Sequence, residues 1–156
     1  MRLVIQRVLH AEVTVSGKQV GKIGKGLLVL VGIGPEDTEK DADRYLSKLI
    51  RLRIFEDSDG KTNLSLTDVG GGLLLVSQLT LLADVSERNR PGFSGTGDPA
   101  RAKALYEYMI RRAGETVPDV EQGEFGAQME VTLANDGPFT IVLDENTMRK
   151  KGTAQK

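Results

Sequence analysis

Cysteine is absent from the 156 residues, and His10 is the single histidine. The first absence excludes a disulfide framework, a thiolate nucleophile and any zinc or iron–sulfur site built on cysteine. The second removes most remaining transition-metal sites, so no metal and no other cofactor is expected. No G-x-S-x-G elbow is present, which leaves His10 without a positioned hydroxyl to activate. Long apolar runs are also missing. The opening MRLVIQRVLHAEV is interrupted at Gln6 and Arg7, too short for a signal-peptide core, and no later window approaches the ~18 apolar residues of a membrane helix. A soluble, cytoplasmic protein with no membrane partner is the expectation.

Charge of one sign is scarce in one region only. Lys and Arg number 21 against 22 Asp and Glu, a net charge of −1, which argues against coating nucleic acid through an overall field. Between Ala113 and Met148 lie eight acidic residues and no basic one. A polyanion must then dock on the first two-thirds of the chain or on the tail beginning at Arg149. Aromatics make up 4% of residues, too few to interleave as the stacking platforms of a general single-strand binder.

What is present reads as one domain of mixed class. Val13 and Val15 alternate with polar neighbours, Ser16, Gly17 and Lys18 supply a turn, and Gln19 to Ile23 return as a hairpin strand. Gly26 to Ile33 is apolar on both faces, as in a central strand. Ala42, Tyr45, Leu46, Leu49 and Ile50 have helical spacing, with Asp37 or Thr38 as cap. Leu73 to Ala83 is read as a strand after the glycines 70 to 72. Residues 84 to 98 form a long loop, and Asp98 with Pro99 opens a second helix whose face is Ala102, Leu105, Tyr106, Met109 and Ile110. Phe125 to Leu133 and Phe139 to Leu143 are read as two strands joined by a turn at Asn135 to Pro138. With no β-α-β alternation evident, the expected fold is α+β, a single domain of mainly antiparallel, barrel-like sheet with two main helices. It spans residues 1–148, and 149–156 is expected to be a disordered tail.

Two segments resist a purely structural reading. Ser77, Gln78 and Thr80 put polar side chains into a strongly hydrophobic run, where an unpaired polar group costs roughly 1–3 kcal/mol. They either face an open pocket or pair internally. The second segment is Asn135 to Thr140, N-D-G-P-F-T. Asp57 to Gly60 begins like a calcium loop, but its glycine falls at the fourth position where the loop needs it at the sixth. A metal-dependent hydrolase built on Asp57 and Asp59 is a rival reading.

S-Q-L-T-L at Ser77 to Leu81, together with N-D-G-P-F-T, closely resembles the S-Q-F-T-L and N-x-G-P-V-T motifs of the D-aminoacyl-tRNA deacylases. The likeness extends through R-V-x-x-A-x-V (Arg7, Val8, Ala11, Val13), L-R-I-F (Leu52 to Phe55), G-K-x-N (Gly60, Lys61, Asn63), N-R-P-x-F (Asn89 to Phe93), L-Y-E (Leu105 to Glu107) and F-G-A (Phe125 to Ala127). The resemblance implies a homodimeric enzyme that hydrolyses the ester of D-aminoacyl-tRNA, and of glycyl-tRNA including glycine mischarged on the tRNA for alanine. Free amino acid and tRNA are released, with aminoacyl-tRNA as the RNA partner and no DNA partner expected.

It also implies roles for residues. Backbone N–H groups around Leu79 and Thr80 would stabilise the oxyanion, with Ser77, Gln78 and Thr80 as the catalytic group and Thr80 in a positioning role. Leu79, Phe125 and Met129 would bind substrate. Gly137 and Pro138, joined by a cis peptide in the family, would enter the other subunit's pocket and reject L-amino acids at Cα. Four positions depart from the family pattern: Leu79 for phenylalanine, Phe139 for valine, Gly92 for serine and Thr62 for methionine. The shorter side chain at Leu79 implies weaker adenine packing and a higher KM. The rival of another class is a non-catalytic nucleic-acid-binding protein of the same fold. Ser77, Gln78, Gly137 and Pro138 argue against the sibling enzymes that remove L-amino acids, which vary these positions.

Overall fold

The computed structural model describes residues 1–149; the expected disorder of the tail falls on residues outside this range, apart from Arg149. The chain opens with a 14-residue strand β1 (Arg2–Val15), turns at Ser16 and Gly17, and returns as β2 (Lys18–Ile23). β3 (Gly26–Gly32) pairs with β1 on its other side. α1 (Glu39–Arg51) is capped by Thr38, whose side chain accepts from the Asp41 N–H while Asp41 accepts from the Thr38 N–H. That reciprocal bond satisfies two donors that the first helical turn leaves orphaned. It also holds the Asp41 carboxyl below the usual carboxylate range.

The short hairpin β4 (Phe55–Glu56) and β5 (Thr62–Leu64) leads to β6 (Gly72–Ser77), and a 3-10 turn follows at Leu79–Leu82. α2 (Pro99–Gly114) starts at Asp98, whose carboxylate accepts from the Ala100 N–H at 3.0 Å. β7 (Val120–Gln122) and β8 (Glu130–Leu143) complete the chain.

The main sheet runs β2-β1-β3-β6-β7, with β8 also paired to β1. All three ladders on β1 are antiparallel, whereas β3 with β6 and β6 with β7 are parallel. The α+β class and single barrel-like domain stand, but the view that no β-α-β alternation occurs is corrected. α1 lies in the crossover from β3 to β6 and α2 in the crossover from β6 to β7. A parallel return needs such a crossover, and here a helix supplies it.

The sheet's ends nearly meet. The Lys22 N–H of β2 donates to the Glu121 carboxylate of β7 at 3.2 Å. A Cβ on Gly21 would come within 2.5 Å of the Gln122 carbonyl oxygen, so only glycine permits this approach.

Both faces of the sheet are apolar. Leu3, Ile5, Leu27, Val29, Val31, Leu73 and Leu75 pack with Tyr45 and Leu49 of α1 and with Leu105, Tyr106 and Met109 of α2. On the inner face Val8, Ala11, Val13, Ile23, Leu28, Leu74 and Val76 form a second cluster. β1 contributes to both because its pairing with β8 shifts register on either side of Val8. An extra residue in a strand moves the following side chains to the opposite face.

Candidate active site

Ser77 ends β6 opposite Val31 of β3, and the Gln78 N–H donates to the Val31 carbonyl at 2.8 Å. The strand stops at the start of the polar group, so the reading of Leu73 to Ala83 as one strand is corrected. The chain instead coils through Leu79–Leu82, where the Leu81 N–H donates to the Gln78 carbonyl at 3.3 Å and the Ala83 N–H to the Thr80 carbonyl at 3.2 Å. The N–H groups of Leu79 and Thr80, which open this turn, donate to no protein acceptor among the described residues. Leu79 is 46% exposed despite its apolar side chain.

Ser77, Gln78 and Leu79 form one wall of a cavity of about 480 Å³, and Phe125 to Met129 form the facing wall. Thr96, Gly97 and Pro99 close a third side. Arg101 fastens that side by donating to the Gly34 carbonyl at 3.4 Å and to the Asp37 carbonyl. The volume suits a small organic ligand. Among the described residues, none that lines this cavity carries an ionisable side chain. Phe125 and Met129 do not lie on a strand, contrary to the sequence reading; they belong to the segment between β7 and β8. Met129 is fixed from behind, its sulfur accepting from the Glu124 N–H at 3.4 Å. Phe125 packs on Tyr106 with ring centroids 5.9 Å apart.

Thr80 follows the lining residues in the chain without lining the cavity itself. Its hydroxyl accepts from the Gln78 side-chain amide at 2.5 Å, so two of the polar groups in the motif pair with one another. His10 is exposed on β1, opposite Ala134 of β8, and is not part of the cavity lining. Asp57 is occupied within its own turn. Its carboxylate accepts from the N–H groups of Asp59 and Lys61 and from Asn63 at 2.9, 3.0 and 3.1 Å, which holds its carboxyl below the usual range. That makes it a turn-forming side chain.

The second motif is not a turn between two strands. β8 runs through it, with Asn135 opposite Val8 and Thr140 opposite Gln6, so residues 136–139 bulge out against Arg7 alone. Two side chains hold the bulge. Asn135 accepts from the Phe139 N–H at 2.6 Å and donates to the Thr140 hydroxyl at 3.1 Å. Arg7, only 7% exposed, donates from Nε to the Asp136 carbonyl at 3.1 Å and from Nη1 to the Ile54 carbonyl at 2.7 Å.

Gly137 and Pro138, joined by a cis peptide, lie exposed at the tip and do not line the cavity of their own chain. Arg7 is the residue that the motifs alone under-described. Its signal was the alternation Leu3, Ile5, Arg7, which puts a guanidinium on a core-facing position.

The family model of the D-Tyr-tRNA(Tyr) deacylases matches residues 4–144. The chain belongs to that family. It is 53% identical over 144 residues to a D-aminoacyl-tRNA deacylase of Stutzerimonas stutzeri (strain A1501), covering 92% of this chain and 99% of that protein. A D-aminoacyl-tRNA deacylase of Kosmotoga olearia (strain ATCC BAA-1733 / DSM 21960 / TBF 19.5.1) is 54% identical, with 92% and 97% covered. Among solved structures, the c-Myc DNA Unwinding Element Binding Protein superposes with a TM-score of 0.87 at 39% identity, over 92% of this chain and 98% of that one. The S-Q-L-T-L motif carries the resemblance, and its first three residues, Ser77, Gln78 and Leu79, line the cavity.

Proposed function

We propose that this chain is a D-aminoacyl-tRNA deacylase, hydrolysing the ester between a D-amino acid and the terminal ribose of tRNA and acting on glycyl-tRNA as well. The observation that carries the reading is the cavity between Ser77–Leu79 and Phe125–Met129, which offers polar contacts and open backbone donors but no side-chain acid or base among the described residues. An aminoacyl ester is already activated, and the neighbouring ribose hydroxyl can assist attack. Placement and oxyanion stabilisation are then the main requirements.

In this reading, water adds to the ester carbonyl, and the Leu79 and Thr80 N–H groups stabilise the resulting oxyanion. One such donor is worth about 3 kcal/mol. The carbon–oxygen bond to ribose then breaks, and the departing ribose oxygen takes a proton. Gln78 and Thr80, paired through their side chains, keep the turn in position, with Ser77 beside them. Leu79, Phe125 and Met129 pack against the terminal adenosine. No cofactor takes part.

Selection for D over L across many side chains must act at Cα, since a side-chain pocket would discriminate among amino acids. We assign it to Gly137 and Pro138 of a second copy, inserted into the cavity across a homodimer axis. Their exposure supports this reading, as does the firm anchoring of the bulge by Arg7 and Asn135. Glycine, lacking Cβ, is admitted. Among the described residues, no helix is long and apolar enough to cross a membrane, and the reading places the enzyme with its tRNA substrates in the cytoplasm.

The test is ester loss from matched D-tyrosyl-, L-tyrosyl- and glycyl-tRNA incubated with the purified protein. Loss of the D and glycyl esters with the L ester spared is expected. Equal loss of D and L esters would refute selection at Cα. The similarity to a structure described as a DNA-element binding protein favours one second reading, non-catalytic nucleic-acid binding. Binding of single-stranded DNA without any ester loss would support it instead.

A further inference from the structure

A second hollow, of about 340 Å³, lies next to the cavity and shares Phe125 with it. α2 supplies Lys103, Tyr106 and Glu107 on one side, and Gln122, Glu124 and Phe125 face them. We propose that this hollow is the subsite for the cytidine that precedes the terminal adenosine in the -CCA end of tRNA. The proposal rests on the deacylase reading above.

Continuity is the first argument. If the terminal adenosine occupies the cavity, the next nucleotide must leave along one of its walls, and Phe125 is a wall with another hollow beside it. Phe125 lines both hollows, so the part of its ring not packed on Tyr106 can meet the second base, a contact that tolerates any base. The Glu124 N–H donates to the Met129 sulfur, so the two hollows are also joined through a fixed stretch of backbone.

The polar groups supply the identity of the base. Lys103 and Glu107 are one helical turn apart and share a face of α2. Even so, Lys103, Glu107 and Glu124 take part in no ion pair among the described residues. The Tyr106 hydroxyl is committed, donating to the Leu75 carbonyl at 2.6 Å, and serves only as wall. Two acceptor carboxylates, one donor ammonium and the Gln122 amide, which serves either base alike, therefore remain for a ligand. Cytosine presents the N4 amine, the donor that Glu and Asp side chains accept, whereas uracil presents the O4 acceptor at the same position. The carboxylates would repel a phosphate seated among them. The base accordingly goes inward, and the phosphate linking the two nucleotides sits at the rim beside Lys103.

The experiment compares D-tyrosyl-tRNA ending in -CCA with the same tRNA ending in -CUA, using the full-length protein and the double variant Glu107→Gln, Glu124→Gln. The unaltered protein should prefer the -CCA substrate in kcat/KM by about tenfold. In the double variant that ratio should fall toward one, since an amide offers uracil a donor as readily as it offers cytosine an acceptor. A loss of folded protein lowers both rates together and leaves the ratio untouched. Equal treatment of the two substrates by the unaltered protein would overturn the subsite, as would a double variant that keeps the full preference. Failure of the unaltered protein to hydrolyse either substrate would remove the deacylase reading itself, a result distinguishable from equal hydrolysis of both.

Discussion

The Arg7 guanidinium lies 4.5 Å from the centroid of the Phe139 ring while donating to the carbonyls of Asp136 and Ile54. One side chain thus ties the β8 bulge to the start of the β4 hairpin, using the planar fork and the stacking face that a lysine lacks. Arg7→Lys should keep the fold but lose at least one charge-assisted hydrogen bond, destabilising by about 1.5–3 kcal/mol. Because the bulge presents Gly137 and Pro138, kcat/KM for D-tyrosyl-tRNA should fall by about tenfold or more. Urea unfolding and a deacylation assay on the same preparation check both effects; unchanged kcat/KM would detach the bulge from catalysis.

Gly137 has φ +136°, a region that L side chains rarely adopt, and a Cβ there would stand 3.0 Å from the Phe139 nitrogen and 3.2 Å from Arg7 Nη2. Gly137→Ala should therefore cost about 1–3 kcal/mol of local strain, relieved by movement of the exposed tip. Since the hydrophobic clusters do not include this residue, the unfolding midpoint should move little compared with activity. The measurement is the D-to-L rate ratio, which should drop; an unchanged ratio would separate Gly137 from chiral selection.

Thr80 has a hydroxyl that accepts from Gln78, and among the described residues no ionisable side chain lines the cavity to activate it. Thr80→Val should consequently lower single-turnover hydrolysis by less than about a hundredfold, the scale of a lost positioning contact. Deletion of a true nucleophile costs on the order of 10⁶. Thr80→Ser should restore most of the rate. A loss of the nucleophile size in Thr80→Val would return this hydroxyl to the centre of the mechanism.

Legibility varied along the chain for physical reasons. Both helices followed from helical spacing at Tyr45 to Ile50 and Leu105 to Ile110, and the second start from Asp98 with Pro99; of the two caps open for the first helix, Thr38 takes the role, while Asp37 accepts from the Gly34 N–H. Local chemistry decides such elements. Three strand boundaries, after Ser77, before Glu130 and around Asn135 to Thr140, did not follow, because tertiary pairing decides them. N-D-G-P reads locally as a turn, yet β1 pairs with β8 on both sides of it and turns it into a bulge. Leucines recur at 79, 81 and 82 past Ser77, so the polar group reads as an interruption of one strand, although β6 ends where that group begins. Of the site, Ser77 to Leu79 and Phe125 with Met129 do converge on one cavity. Gly137 and Pro138 stand apart from it on the same chain.

Leu79 is half exposed on the cavity wall, where the family carries phenylalanine. Stacking of a base on an aromatic ring is worth about 1–3 kcal/mol, and an isobutyl group supplies less. Leu79→Phe should lower KM for D-tyrosyl-tRNA by about fivefold or more with kcat unchanged, since the backbone donors at this position do not depend on the side chain. That pattern marks binding added equally to the ground state and the transition state. A changed kcat with constant KM would show that the side chain acts on the turn itself.

Tyr106 supplies a pH signature. Burial pushes its phenol up to about 12, and its hydroxyl donates to the Leu75 carbonyl, which also accepts from the Gly123 N–H. An unfolded tyrosine titrates near 10, so the folded state favours the protonated phenol. The resulting stabilisation is complete below pH 10 and is lost as pH rises through about 12. Tyr106→Phe should cost about 0.5–1.5 kcal/mol at pH 8, and because the Leu75 carbonyl keeps its bond from Gly123 the loss should lie toward the smaller value. Between pH 10 and 12 the unaltered protein should lose stability more steeply than the variant. Urea unfolding of both proteins at pH 8 and pH 11 measures the difference, and parallel slopes would mean that the phenol is not held protonated by the fold.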